Sequence, residues 1–254
     1  MISVVISFKN PGQLILRAID SALSQCSQGD EVIAVDDSST DNSWVLVNEK
    51  YKGLSNIKFY KSTGTGISAA RNLGNKSASN KFIYVLDADD FLCEGAIDLV
   101  KKEIAAYPDV NVLYGDIKLK IKDRIIPYPS YPVFRSRRCA KRRIMAFPIV
   151  PFKHSAVIYR KEFVESLGGY DESLSSKVDI DLALRLIFET VKIRKINQCL
   201  VIHQIHKCQV SSKRIEGMGN YKKVFWKLEK NPLKRFGYVV IRFVSEMIKY
   251  LVFR

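Results

Sequence analysis

Two short segments of this chain decide the fold that its sequence predicts. The segment Ile33–Asp41 reads IAVDDSSTD and the segment Phe82–Asp90 reads FIYVLDADD, so each apolar run ends in acidic residues. Short, continuous apolar runs of this kind are typical of buried parallel strands. In an open α/β sheet, ligands bind beyond the carboxyl ends of such strands. We therefore expect both acid groups to lie along one edge of the same sheet.

The neighbouring segments extend this pattern over the chain. Ile2–Ser7 reads as another buried strand, and Leu14, Ala18 and Ala22 after it have helical spacing. Strands that alternate with helices favour right-handed βαβ units and a parallel sheet. The predicted class is α/β, with a mostly parallel central sheet flanked by helices and a basic helical tail at the C-terminus.

Length and charge bound the kind of protein. The chain has 254 residues, of which 47% are hydrophobic, which is enough for one large domain with or without an appendage. Residues 1–110 carry a net charge of −3 and residues 111–254 a net charge of +18. This asymmetry predicts an acidic site followed by a basic half that meets an anionic partner. A membrane surface, a phosphorylated acceptor and a nucleic acid all fit the charge alone.

Cysteine spacing and hydropathy indicate the compartment. The five cysteines are scattered without a Cys-x-x-Cys pair, so we predict neither a metal knuckle nor a disulfide framework, and expect a reducing cytosol. The N-terminus lacks the charged region and cleavage site of a signal peptide. No apolar stretch reaches the roughly 18–20 residues that a membrane-spanning helix needs.

Several segments together resemble the family-2 glycosyltransferases, of the kind that builds bacterial surface glycans. A single Asp-x-Asp is weak evidence, but the order and spacing of all the segments over about residues 1–212 are specific. The resemblance implies the GT-A fold and inverting transfer of a sugar from a nucleotide diphosphate, with a UDP-sugar as the expected donor. The matching segments are Ser3–Phe8, Ser21–Gln25, Val35–Asp41, Gly66–Gly74, Leu86–Asp90, Gly168–Glu172 and Asp179–Arg185.

The resemblance also assigns a metal. It implies that Asp89 ligates Mg²⁺ or Mn²⁺, that Asp87 lies near the ribose or a metal-bound water, and that Ala88 belongs to the donor site. Hard cations prefer oxygen ligands and are often shared with substrate phosphates. His206 is the further metal candidate by resemblance, although a lone histidine is also a common structural hydrogen-bonding group. The alternative for the acids is that they only cap the next helix.

The nucleotide and the acceptor are assigned in the same way. By resemblance Asp37 would accept a hydrogen bond from a uracil N–H, and Ser7 and Phe8 would line the base pocket. An Asx-turn before a helix would use the same acids, so Asp36 stays open between the two interpretations. Asp179 is the implied general base that takes the proton of the acceptor hydroxyl.

The base assignment also has open alternatives. The family usually has Glu-Asp at this helix start, and here the pair is Val178-Asp179, which puts the support of the base in doubt. Asp179 could instead be only the N-cap of its helix. Asp181 is the second candidate for the base.

Two basic segments complete the expectations. Residues 135–143 hold six cations in nine residues, which fits either an anion site or an ordinary solvated surface. The apolar and basic tail Phe236–Arg254 is interrupted by Arg242, Glu246 and Lys249, so it would lie on an anionic membrane as an amphipathic helix. Packing on the catalytic domain or self-association is the alternative.

We thus predict a catalytic domain over residues 1–215, with a nucleotide-binding half (1–115) and an acceptor half (116–215), and a tail over 216–254. The expected enzyme is metal-dependent and moves a sugar onto a glycan or lipid-linked glycan in surface-polysaccharide synthesis. It would be cytoplasmic and peripheral on the cytosolic face of the membrane.

Three other functions were weighed. A nucleotidyltransferase needs a glycine-rich activation loop that Phe8–Gly12 does not supply. An RNA-binding protein would show an RNP or KH motif, so no nucleic-acid partner is expected. A non-catalytic family member is hinted at only by the missing Glu before Asp179.

Overall fold

The structure, a computed structural model, describes residues 1–64, 66–133, 152–189, 192–205 and 218–252. The strands in these ranges are β1 (Ile2–Phe8), β2 (Glu31–Asp36), β3 (Ile57–Lys61), β4 (Phe82–Asp87), β5 (Phe91–Leu92), β6 (Val112–Ile121), β7 (Arg124–Pro127), β8 (Val157–Arg160) and β9 (Ile193–Ile205). The helices are α1 (Leu14–Leu23), α2 (Ser43–Tyr51), α3 (Ile67–Ser77), α4 (Ala96–Ala106), α5 (Lys161–Ser166), α6 (Val178–Glu189), α7 (Met218–Leu228) and α8 (Pro232–Val252). A 3₁₀ turn covers His154–Ala156.

All the described strands join one sheet in the order β3-β2-β1-β4-β8-β6-β9-β5, with β7 paired to the outer part of β6. β1 pairs in parallel with β2 and β4, and β2 pairs in parallel with β3. β8 is antiparallel to both of its neighbours, whereas β6 and β9 run in the same direction as β1. The predicted mostly parallel α/β sheet is therefore confirmed.

The central strands β1, β2 and β4 are buried on both faces, which explains their continuous apolar runs. Successive side chains of a strand point to opposite faces. Val4 and Ile6 pack in one core cluster with α1 and α4, while Val5 packs in a second cluster with residues of α3, α6 and α7. Helices on both sides of parallel strands leave only Ser7 of β1 partly exposed, so the run shows no polar alternation.

The C-terminal segment is helical, as expected. Tyr221, Val224 and Phe225 of α7 are buried in the second core cluster, and Tyr238 and Val239 of α8 pack against it. Of the helices in the described ranges, none is both long and apolar enough to cross a membrane. The boundary at residues 215 and 216 stays a prediction, and the basic run 135–143 lies outside the described residues.

Three cysteines fall in the described ranges, and all three are free thiols. Cys93 follows β5 and Cys199 lies in β9, and their Sγ atoms are 2.7 Å apart. The β5–β9 pairing brings them together although they are 106 residues apart in sequence. The scattered spacing of cysteines in the sequence gave no sign of this contact.

A glycine in α3 sets how closely that helix approaches the sheet. A Cβ on Gly74 would lie 2.5 Å from Val5 Cγ1 and 3.3 Å from Val35 Cγ2. We expect Gly74→Ala to lower the free energy of unfolding by about 1–3 kcal/mol, because the buried strands cannot move away. Denaturant unfolding measures this change.

Gly237 in α8 is the matched control, because a Cβ there meets nothing within 4 Å. Gly237→Ala should stabilise the protein by up to about 1 kcal/mol through helix propensity alone. Equal effects of the two substitutions would show that α3 does not depend on close contact with the sheet.

Candidate functional site

The carboxyl ends of β1, β2 and β4 form one edge of the sheet, as the sequence predicts. Ser7 lies opposite Val35 of β2 on one side and opposite Asp87 of β4 on the other. The backbone N–H of Asp37 donates to the carbonyl oxygen of Phe8 at 2.8 Å, which joins the ends of β1 and β2. The acids at the end of β2 (Asp36 and Asp37) and those at the end of β4 (Asp87, Asp89 and Asp90) therefore lie on either side of the end of β1.

Asp37 is held at this edge by its own carboxylate. Its side chain is almost fully buried, and Oδ1 accepts the backbone N–H of Gly66 at 3.1 Å. Gly66 has φ +91°, which favours glycine at the start of α3. Burial raises the pKa of Asp37, against the opposing effects of Lys9 and the Gly66 N–H. Its other oxygen, Oδ2, lies 3.8 Å from Nζ of Lys9, the residue that directly follows β1.

Asp36 serves the turn rather than the edge. Its Oδ1 accepts the backbone N–H of Ser39 at 2.9 Å, and the residue is 2% exposed. This closes an Asx-type turn directly after β2. Of the two interpretations open for Asp36, the structure supports the turn.

Three acids lie at the end of β4, and one carboxylate oxygen of each lies within 4.8 Å of the others. Asp87 and Asp89 are partly exposed, and Ala88 between them is buried. The third acid is Asp90, which is 1% exposed. Carboxylates so close together repel one another unless cations or hydrogen-bond donors compensate them.

Asp90 is compensated by hydrogen bonds from distant parts of the chain. Its Oδ2 accepts Ser155 Oγ–H at 2.5 Å, and its Oδ1 accepts the backbone N–H of Gln204 at 3.2 Å. His203 Nδ1 lies 2.6 Å from Oδ1. Asp90 therefore fixes the turn Asp87–Asp90, which we call the acid turn. The sequence did not predict this role.

Asp87 is compensated by charge. Arg71 Nη2 lies 3.1 Å from Oδ1, and Lys153 Nζ lies 3.6 Å from Oδ2. Burial alone would raise the pKa of Asp87, but the contacts of His154, Lys153 and Arg71 outweigh it and hold the pKa well below the usual range. Asp87 is thus ionised at neutral pH.

His154 links the acid turn to a tyrosine. Burial, together with the charge of Arg71, lowers the pKa of His154, so the imidazole is neutral. An ionised Asp87 only accepts, so the Nδ1 atom, 3.4 Å away, carries the proton. Nε2 then accepts the hydroxyl hydrogen of Tyr170 at 2.8 Å. No motif in the sequence marks His154 as part of the site.

Asn72 holds the segment that carries this tyrosine. Its Nδ2 donates to the Tyr170 carbonyl at 2.9 Å, and its Oδ1 accepts the Tyr170 N–H at 2.8 Å. A Cβ on Gly169 would come within 2.7 Å of the same Oδ1. Arg71 and Asn72 are adjacent in α3, so one helical turn orients both Asp87 and Tyr170.

Lys153 lies in the middle of the acids. Its Nζ is 3.6 Å from an oxygen of Asp87 and 3.6 Å from an oxygen of Asp90. Burial would lower the pKa of Lys153, but Asp90, Asp87, Asp89 and Asp179 together raise it, so the ammonium stays protonated. Sequence reasoning missed this residue, because no motif marks it.

Asp179 lies in the first turn of α6. Its charge acts on Lys153, His154 and Arg71, the three side chains that contact Asp87. Asp181 behaves differently, since it is fully buried and accepts from Arg185 Nε and Nη2 at 2.8 and 2.6 Å. The two candidates for the base are therefore separated: Asp179 is near the edge and Asp181 is engaged in an ion pair within its helix.

Contacts from α7 hold the segment that leads into α6. Lys227 forms an ion pair with Asp171 and lies 4.0 Å from Asp181. Asn220 Nδ2 donates to Ser175 Oγ at 3.1 Å and to Ser176 Oγ at 2.9 Å. The chain segment that precedes Asp179 is thus held in place by side chains of α7.

The edge has the chemistry of a divalent-cation site. Asp87 and Asp89 offer carboxylate oxygens, and hard cations such as Mg²⁺ and Mn²⁺ prefer oxygen ligands. Ser7 Oγ, next to Asp87, is buried without a hydrogen-bond partner among the described residues. A buried hydroxyl without a protein partner can bond an ordered water, an ion or a ligand. His206, the other predicted ligand, lies outside the described residues.

Comparison with known proteins decides the family. The model of "Glycosyl transferase family 2" matches residues 3–168. The chain belongs to this family. Chondroitin synthase of Escherichia coli is 24% identical over 254 residues, which cover 98% of this chain and 36% of that protein. An uncharacterized glycosyltransferase of Haemophilus influenzae is 26% identical over 207 residues, 81% of this chain and 69% of that protein.

A solved structure shows the fold. TarS of Staphylococcus aureus (residues 1–349), in complex with UDP-GlcNAc, has a TM-score of 0.74 and 18% identity, covering 98% of this chain and 73% of TarS 1–349. The predicted GT-A fold is therefore confirmed. The family-2 chain spans only 36% of the chondroitin synthase and 25% of the hyaluronan synthase of Pasteurella multocida that it matches.

The contacts of Asp90 generate a stability prediction. We expect Asp90→Asn to lower the free energy of unfolding by about 2–4 kcal/mol, because it weakens several buried charge-assisted hydrogen bonds at once. Chemical denaturation followed by circular dichroism measures the change.

Asp89→Asn is the matched control in the same turn. It removes a negative charge from a crowded group at a partly exposed position, so stability should change by less than about 1 kcal/mol or rise. A loss as large as that of Asp90→Asn would contradict the division between an anchoring acid and acids that face the edge.

Proposed function

We propose that this family-2 chain transfers a sugar from a UDP-sugar to a hydroxyl of a glycan or lipid-linked glycan, with inversion at the anomeric carbon. One observation supports the proposal. Asp37 follows β2, Asp87 and Asp89 lie at the end of β4 beside it, and Asp179 at the start of α6 acts electrostatically on Lys153, which contacts Asp87. The acids are 50 or more residues apart along the chain in each step, so the fold itself assembles them.

The nucleotide would lie across the ends of β1 and β2. Ser7 and Phe8 end β1 there and would line the base pocket, and Asp37 presents a buried carboxylate that is oriented by the Gly66 N–H. A carboxylate accepts hydrogen bonds and so suits an N–H of a base. The TarS structure with UDP-GlcNAc supports a uridine nucleotide as the donor.

Asp89 would hold Mn²⁺ or Mg²⁺ at the diphosphate, and Asp87 would lie near the ribose or a metal-bound water. When bound, the cation would offset the negative charge that builds on the leaving diphosphate. Ala88, between the two acids, would contact the donor. His206 remains a predicted ligand.

Asp179 would act as the general base. The acceptor oxygen attacks the anomeric carbon, the bond from that carbon to the diphosphate oxygen breaks, and the acceptor proton passes to the Asp179 carboxylate. Val178, which replaces the usual Glu, is buried in the second core cluster. The start of α6 is thus anchored by packing, and Asp179 follows directly from that anchor.

The names of relatives support the acceptor class. TarP of Staphylococcus aureus, 37% identical over 100 residues and 38% of this chain, is named a poly(ribitol-phosphate) N-acetylglucosaminyltransferase. WfaP of Escherichia coli, 36% identical over 91 residues, is named for a diphosphoundecaprenol-linked acceptor. Both names describe surface glycans or their lipid-linked precursors, and both acceptors carry phosphate.

A peripheral position on the cytosolic face of a membrane completes the proposal. Tyr238 and Val239 of α8 pack on the core, while apolar residues three to four positions apart on its other side are exposed. Such a face next to lysines fits the interface of an anionic membrane. The exposed apolar residues at this spacing are Leu233, Phe236, Val240 and Phe243, and Ile241 and Val244 are exposed as well.

Calorimetric titration with UDP, GDP and CDP tests the donor site. We expect UDP to bind in the presence of Mn²⁺ and to lose most of its affinity with EDTA or in Asp89→Ala, because the diphosphate then meets uncompensated carboxylates. Tighter binding of GDP or CDP would overturn the donor assignment. Binding of no nucleotide would favour a non-catalytic family member.

Asp179→Asn separates catalysis from binding in the same assay. UDP should bind this variant with nearly wild-type affinity, while sugar transfer falls by about 10²–10⁴-fold, as for the loss of a general base. UDP release from UDP-GlcNAc and other UDP-sugars, with candidate acceptors present, measures the rate. Wild-type turnover by Asp179→Asn would exclude it as the base.

Sedimentation with anionic liposomes tests the membrane surface. The double variant Phe236→Ser, Val240→Ser should bind several-fold less than the wild type, because each change removes apolar surface from the exposed side of α8. Val45→Ser on α2, where the valine is 51% exposed, is the control and should bind normally. Equal binding of all three proteins would show that α8 does not contact the membrane.

A further inference from the structure

Lys153 is the one side chain described at this edge that bridges two acids of the turn after β4. Its Nζ lies at the same 3.6 Å distance from Asp87 and from Asp90, and its side chain is 24% exposed. At 3.6 Å these are ion pairs rather than short hydrogen bonds. The ammonium therefore keeps donor hydrogens that can turn toward a ligand at the open side of the edge.

The position of Lys153 is built by its neighbours in sequence. Phe152 is buried in the core, with its ring centroid 5.1 Å from that of Tyr114. His154 and Ser155 on the other side contact Asp87 and Asp90. Because both flanking segments are fixed, Lys153 has little freedom to leave the acids, and a ligand would find its charge in place.

The balance of charge shows what this lysine adds. Four carboxylates act on the charge of Lys153, those of Asp87, Asp89, Asp90 and Asp179, and among the described residues Lys153 and Arg71 are the lysine and the arginine that contact Asp87. Counting these carboxylates and these two cations, two negative charges remain in excess, which one divalent cation would neutralise. A nucleotide diphosphate would then bring further negative charge to the edge, close to the ammonium.

We propose that Lys153 is a phosphate-binding residue of this site. Before the donor binds, its ammonium offsets the repulsion between the carboxylates of Asp87 and Asp90. After the donor binds, it donates a hydrogen bond to the donor diphosphate. This inference rests on the proposed function, because it needs the diphosphate to lie at the acid edge. It assigns to Lys153 two effects of opposite sign. The ammonium repels a metal ion that binds alone, and it attracts the diphosphate.

Two titrations of the whole chain test these effects. Binding of Mn²⁺ alone is followed by electron paramagnetic resonance of the free ion, and binding of UDP at saturating Mn²⁺ is followed by calorimetry. We expect Lys153→Met to bind Mn²⁺ about three- to tenfold more tightly, because a nearby like charge is gone. The same variant should bind UDP about tenfold or more weakly, because a charge-assisted hydrogen bond is lost.

Three further variants control the result. Lys153→Gln should behave like Lys153→Met, and Lys153→Arg should stay close to the wild type in both titrations, because it keeps the charge. Lys102→Met removes an exposed lysine of α4 and should change neither affinity, which controls for net charge.

The opposite outcomes are distinct. Wild-type UDP affinity in Lys153→Met would overturn the proposal. A parallel loss of Mn²⁺ and UDP binding in Lys153→Met and Lys153→Gln would also overturn it, since this would show only a structural role in the acid turn. If the wild-type protein binds neither Mn²⁺ nor UDP, the proposed function itself fails, and the role of Lys153 fails with it.

Discussion

The buried carboxylate of Asp90 is the contact on which the rest of this edge depends. It receives donors from the 3₁₀ turn before β8 and from β9, and thereby ties two separate parts of the chain to the end of β4. A buried charge is tolerated only when it is paired and hydrogen-bonded. The same contacts that satisfy Asp90 fix the direction of the turn, and so determine where Asp87 and Asp89 point.

The sequence predicted well whatever depends on local pattern. The strands that carry Ile33–Asp36 and Phe82–Asp87 are continuous apolar runs because helices cover both of their faces, and their acids follow at the strand ends. The pairing of Asp181 with Arg185 could also be read from sequence, since residues four apart meet on one side of a helix. Local periodicity is thus enough for the sheet, its edge and the family motifs.

The contacts that complete the edge could not be predicted in this way. His203 meets Asp90 across 113 residues and His154 meets Asp87 across 67, through strands whose order no local signal specifies. The contact of Cys93 with Cys199 arises similarly from the β5–β9 pairing. Lys153 was not predicted, because no local pattern marks it. Only the folded structure brings it under the influence of four acids that lie on other elements.

The hydrogen bonds of Asn220 and the ion pair of Lys227 give α7 a role beyond packing. They attach the loop of residues 171–176 to the C-terminal helices, and this loop leads directly into the helix start that carries Asp179. Under the proposed function, the strand ends that would face the nucleotide are held within the sheet, whereas Asp179, which would face the acceptor, is positioned from outside it. A chain truncated before α7 would therefore keep its nucleotide-binding strand ends, but the position of Asp179 relative to the acceptor would be less well defined. A structural change in the C-terminal helices would likewise affect the acceptor side and leave the nucleotide side unchanged.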